Sequence, residues 1–262
     1  MKLRTLLILV LTCLTGAAGL LAEDKYSYSA TSDFSYVSEY VYRGIKRTSS
    51  ALQPSVEVDL PNTGQGDLDV GLWASQPLQN KRSPYSTEVE GNEVDVYAGY
   101  KVKVDDSLSF EAVTTYYWYP DAKKSITGVP VYQTRDSYEV GLGTTYRIFG
   151  LSPSIYYYYD LVRRAQTVEG AVGYNVPLKK LGTALDFNLF AGTQSARDAF
   201  PRVPGPAIHE SYNYYGAELS VPYQLSEHAK VHAGVAYSGN DKYLVGVPRD
   251  HVSVTVGFTA GF

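Results

Sequence analysis

The sequence predicts an all-β protein, a transmembrane antiparallel up-and-down β-barrel of about 12 strands with both termini periplasmic. Three observations predict it. In the last stretch, His251 to Phe262, Val252, Val254, Val256, Phe258, Ala260 and Phe262 alternate with Ser253, Thr255, Gly257, Thr259 and Gly261. Successive strand side chains point to opposite faces, so this is a ribbon with one apolar side and one small, mostly polar side. The amino terminus has the form of a secretory signal. Tyrosine is unusually common, 25 of 262 residues, and its amphipathic ring suits the interface between bilayer and water. Alternation alone also fits a secreted sandwich; the other two observations favour the barrel.

Residues 1–22 read as a cleaved signal peptide. Lys2 and Arg4 open it, Leu6 to Leu14 form its apolar run, and Gly16-Ala17-Ala18 supply small residues. The run is too short to cross a membrane as a helix. Cleavage after Ala22 is preferred to cleavage after Ala18. Cys13 lies inside the apolar run behind Thr12, which does not suit lipidation, and it leaves with the signal. The mature chain then has no cysteine, which excludes a disulfide framework and a thiolate metal site. Residues 23–262 read as a single barrel domain. No later stretch approaches ~18 apolar residues, the length a membrane helix needs. A mean hydropathy of −0.19 suits a membrane barrel, because half of each strand faces a wet lumen. A net charge of −4 leaves no basic footprint for nucleic acid.

The period-two pattern predicts strands at 28–43, 51–60, 67–76, 93–104, 107–119, 136–148, 151–161, 166–176, 183–193, 211–223, 229–238 and 251–262. Val94, Val96, Ala98, Tyr100, Val102 and Val104, for example, oppose Glu93, Asp95, Tyr97, Gly99, Lys101 and Lys103. Pro54 and Pro153 weaken two of these strands, since proline cannot donate to a ladder. Short connections follow the even strands, as at Asp105-Asp106 and Phe149-Gly150. Most of the others, such as Pro77 to Asn92, are long. Short periplasmic turns and long external loops are the habit of outer-membrane barrels.

The final strand resembles the closing strand of bacterial outer-membrane barrels. That likeness implies that Phe258 and Phe262 form the signal read by the barrel assembly machinery. A second likeness lies earlier. Glu39-Tyr40-Val41-Tyr42-Arg43-Gly44-Ile45 resembles the first-strand signature of the TorF-type putative porins, a Gram-negative outer-membrane family. Ala51-Leu52-Gln53, Gly71-Leu72-Trp73-Ala74-Ser75, Glu93 to Tyr100 and Tyr117-Trp118-Tyr119-Pro120 continue it across residues 32 to 120. Lys46-Arg47 stands where the family usually has Ser-Gln. The resemblance implies an outer-membrane barrel of porin type, partnered by outer-membrane lipid, and carries over no catalytic residue.

In the predicted register Asp33, Glu39 and Arg43 face the lumen from strand one, and Tyr40 and Tyr42 face out. Arg43 is either a pore-lining cation or half of a structural ion pair with an acid such as Glu57. The lumen face carries Asp33, Glu39, Glu57, Asp59, Asp67, Asp69, Glu93, Asp95, Glu111, Glu139, Glu169, Asp186 and Glu218 against Arg43, Lys101, Lys103, Arg147 and Lys230. Glu57, Asp95, Glu111 and Glu139 lie mid-strand, with Arg43 and Arg147 the candidates to offset them. Rings of carboxylates in a narrow passage favour cations.

The expected function is therefore a porin-like channel for small hydrophilic solutes, favouring cations. The alternative is a structural or interaction barrel with a plugged lumen. Bulky Trp73, Tyr97, Tyr117 and Phe190 favour constriction, and Gly71, Gly99, Gly141, Gly143 and Gly173 favour space. A lipid-cleaving or lipid-modifying enzyme is a distant third. His232 is the one histidine that projects from mid-strand, and no spacing suggests a triad. In Tyr156-Tyr157-Tyr158-Tyr159 the inward pair either packs the lumen or stacks a solute. No cluster has metal-ligand spacing, and no cofactor is expected.

Overall fold

The computed structural model describes residues 28–78, 92–120, 125–126, 129–130, 136–195, 211–242 and 249–261. The expected signal peptide and Phe262 lie outside them. Among the described residues twelve strands close a barrel. They are β1 (Ser29–Val37), β2 (Ala51–Thr63), β3 (Gly66–Pro77), β4 (Glu93–Lys103), β5 (Leu108–Trp118), β6 (Asp136–Tyr146), β7 (Leu151–Asp160), β8 (Ala165–Leu178), β9 (Thr183–Ser195), β10 (Tyr212–Ser226), β11 (Ala229–Asn240) and β12 (Asp250–Gly261). Each pairs antiparallel with its neighbours in sequence. The β1–β12 seam closes the cylinder with Thr31 opposite Gly261 and Phe34 opposite Phe258. Closure removes the unpaired edges that lipid cannot satisfy.

The outer surface explains why the alternation is so regular. Leu142, Leu189 and Val252 are 67%, 60% and 60% exposed, a placement that suits lipid rather than water. Rings flank this apolar middle. Tyr36, Trp118, Tyr138, Tyr157, Tyr215 and Tyr237 lie toward the long-loop end. Phe110, Tyr146, Tyr174, Tyr223 and Phe258 lie toward the short-turn end. Both prolines sit inside strands. The β2–β3 register lapses between Leu52 and Ser55, where Pro54 has no N–H to give. The β6–β7 ladder stops at Ser154, one residue before Pro153.

One strand differs from its prediction. β1 ends at Val37 rather than Arg43, and Tyr40–Tyr42 and Ile45–Thr48 form a separate two-stranded hairpin. The alternating pattern runs on through Tyr42, so periodicity could not mark the break. Turn chemistry does. Arg43 and Gly44 have φ of 49° and 71°, the paired left-handed conformations of a tight type I′ hairpin turn. Phe149-Gly150 repeats the device, at 51° and 82°, between β6 and β7.

Candidate lumen site

The hairpin folds into the barrel. Tyr40 and Tyr42 do not face out as expected. Tyr40 packs on Trp73 with ring centroids 5.3 Å apart, and Tyr42 meets Tyr117 with their hydroxyls 3.0 Å apart. Arg43 reaches the β6 wall, where its guanidinium donates to both Glu139 oxygens at 2.8 and 2.9 Å. The two side chains are 8% and 6% exposed. The rings of Tyr42 and Tyr158 each lie 4.9 Å from the guanidinium carbon. Tyr117 donates to the same carboxylate at 3.2 Å. The expected partner, Glu57, is not used. Arg43 leaves the barrel wall at the turn and lands on β6, five strands from β1.

Toward the short turns from this clamp lies a cavity of about 440 Å³. Its lining includes Asp69, Glu139, Glu169 and Glu218, with Arg43 as the single Lys or Arg among the described residues. Aromatic walls come from Tyr97, Tyr117, Tyr158 and Phe190.

A repeated row organises the wall. Glu57, Gly71 and Tyr97 stand side by side on β2, β3 and β4. Glu111, Gly143 and Tyr156 do so on β5, β6 and β7, and Glu169, Gly192 and Tyr214 on β8, β9 and β10. In each row the tyrosine ring lies over the glycine, where a Cβ would overlap it, and the hydroxyl donates to the glutamate. The distances are 2.8 Å to Glu57 and 2.7 Å to Glu169. The glycines at 71, 141 and 143 therefore seat rings rather than widen the lumen; Gly99 makes room for the Asp69 carboxylate, and Gly173 is open. Tyr156 and Tyr158 stack on each other at 5.7 Å, and the Arg43 guanidinium lies over Tyr158, so the inward pair packs the lumen.

The remaining candidates separate. Glu111, besides its tyrosine, has Lys101 at 3.8 Å. Asp95 is buried beyond the hairpin near Glu93 and Arg47, and its Oδ1 finds no hydrogen-bond partner among the described residues. Arg147 does not line the lumen. It is exposed in the short turn after β6, where its backbone N–H donates to Ser107. It cannot offset mid-strand acids from there. Phe258 is outward and 44% exposed, opposite Phe34 across the seam. Asp69, Glu169 and Glu218 stood on the predicted lumen face but not among the mid-strand pore-lining candidates, and the cavity brings them together with Glu139.

The fourth row crosses the seam, with Ser35, Gly257 and His232 side by side. His232 Nε2 is 3.2 Å from Ser35 Oγ, and its Nδ1 is 3.6 Å from Asp33 Oδ2. This brings together serine, histidine and aspartate, which sequence spacing did not suggest. It is not a proton relay. Ser35 donates directly to the Asp33 carboxylate, which also accepts from Thr259 at 2.7 Å. A relay holds the imidazole between serine and carboxylate and aims the serine proton at the ring. The cluster instead joins β1, β11 and β12 where the barrel closes.

A closed antiparallel barrel with an apolar belt and a polar lumen is the fold of outer-membrane barrels. The chain belongs to the family described as "Bacterial protein of unknown function (Gcw_chp)", which matches residues 22–184. No curated protein matches it. Among solved structures, the COG4313 outer membrane channel from Pseudomonas putida F1 is similar at a TM-score of 0.55 and 7% identity, over 92% of this chain and 97% of that one. The NanC porin is similar at 0.51 and 11% identity, over 89% and 99%. LpxR from Salmonella typhimurium is similar at 0.51 and 10% identity, over 89% and 99%. At these identities the likeness establishes the fold.

Proposed function

We propose that the chain is an outer-membrane channel for small hydrophilic solutes that favours cations over anions. One observation carries this reading: among the described residues the chamber's single cationic lining residue, Arg43, is already neutralised by Glu139, which leaves Asp69, Glu169 and Glu218 to set the field. Unpaired carboxylates in a low-dielectric passage concentrate cations. Two similar barrels, a porin and an outer membrane channel, and the TorF-type likeness of residues 32 to 120, support the same reading. In it, the signal peptide is cleaved, the short turns and both termini face the periplasm, lipid surrounds the belt, and the barrel assembly machinery reads Phe258 and Phe262.

The test is the reversal potential of refolded protein in a planar bilayer across a salt gradient. Cation preference that falls on changing Glu169 and Glu218 to Gln supports the reading. Anion preference, or no response to these changes, removes the mechanism. The plugged-barrel alternative is favoured by the inward hairpin, and a protein that never conducts in any form would establish it.

A further inference from the structure

Resting on the channel reading, we propose that the Tyr40–Thr48 hairpin is a removable closure of the lumen, latched by Arg43 and Glu139. The hairpin takes no part in the ladder that closes the barrel; it is a sheet of its own, and β1 and β2 pair fully without it. It can therefore leave without breaking a barrel hydrogen bond. Yet it reaches across the lumen. It springs from the β1–β2 connection, clamps the β6 wall through Arg43, and presses its tip against the ends of β10 and β11. There Asn240 Nδ2 donates to the Gly44 carbonyl at 2.7 Å. The tip has no room to spare, since a Cβ on Gly44 would lie 2.8 Å from that of Tyr214 and would strike the Gly239 carbonyl.

What fixes the hairpin's position is polar as well as aromatic. Two hairpin rings rest on the wall, Tyr40 on Trp73 and Tyr42 on Tyr117, and its bidentate ion pair is that of Arg43 with Glu139, with the wall ring of Tyr158 on the guanidinium. Such a pair is geometrically exacting, and losing one partner leaves the other buried and uncompensated. That is the behaviour of a latch: firm while both groups are present, released when either is lost. With the latch closed the hairpin stands between the chamber and the long-loop side. Release opens the chamber toward that side.

The experiment compares three full-length proteins in planar bilayers: the natural chain, an Arg43→Gln/Glu139→Gln double variant, and a chain with residues 40–48 replaced by a short Gly-Ser linker. Heat-modifiable migration on gels confirms that each barrel is closed. In a Trp118→Phe background, Trp73 is the one tryptophan left and reports its contact with Tyr40. The expected result is several-fold higher conductance without the hairpin, a raised open fraction in the double variant, and a red-shifted Trp73 emission in both. Equal conductance in the natural and hairpin-less proteins would overturn the closure and leave the channel reading standing. Absence of conductance in all three would overturn both.

Discussion

Adding a single methyl group at Gly143 tests the row architecture of the wall. A Cβ there overlaps the Tyr156 ring, so the ring must move and its hydroxyl must leave Glu111. A hydrogen bond to a charged acceptor contributes about 1.5–3 kcal/mol. Crowding a packed site costs a further ~1–3 kcal/mol. Against this, alanine restricts the unfolded chain and returns roughly 0.4–1 kcal/mol. Gly143→Ala should therefore destabilise the barrel by about 2–5 kcal/mol. Gly173 provides the internal control. It lies on the lumen face of β8, and its nearest neighbour to a new Cβ, on Ser152, is 3.8 Å away. Gly173→Ala should be neutral or stabilising by up to ~1 kcal/mol. Reversible urea unfolding in lipid vesicles, followed by tryptophan fluorescence, measures both. Tyr156→Phe separates the contributions, because it keeps the ring and removes the bond. Equal effects at Gly143 and Gly173 would refute the claim that these glycines exist to seat rings.

Arginine at Val256, outward at the middle of β12, should cost about 2–4 kcal/mol in the same assay, while arginine at lumen-facing Thr255 should cost clearly less; equal costs would invert or abolish the assigned faces. Glu139→Gln alone leaves the Arg43 guanidinium buried without its partner and should destabilise by up to ~3–5 kcal/mol, unless the hairpin releases first and the shift appears in Trp73 emission instead. Because Tyr97 donates to Glu57, Tyr97→Phe should lower stability by roughly 1.5–3 kcal/mol, and the same loss in Glu57→Gln/Tyr97→Phe as in either single change would confirm the coupling by double-mutant cycle. Deleting Phe262 should slow or abolish assembly in cells, read as loss of the heat-modifiable form from outer-membrane fractions.

Most of the barrel was legible in the sequence, because lipid outside and water inside impose a period of two that each strand must obey alone. Eleven of the predicted strands fall within three residues of those observed, and Val256 and Phe258 face as their alternation implied. The sequence also contained Arg43-Gly44, a turn signal like the correctly read Phe149-Gly150, but the alternation of Tyr40 and Tyr42 concealed it. Only tertiary structure decided where that hairpin goes. Its direction depends on a carboxylate ninety-six residues away on β6, and on room at the ends of β10 and β11. The glycines tell the same story. A glycine facing the lumen is empty space when its strand is read alone, and it is a seat for Tyr97, Tyr156 or Tyr214 once register sets the neighbouring strand beside it. Partner choice follows register, tilt and closure, which belong to the whole cylinder, and so the charged groups that look alike along the chain become a latch, a capped row or a chamber wall only in the folded barrel.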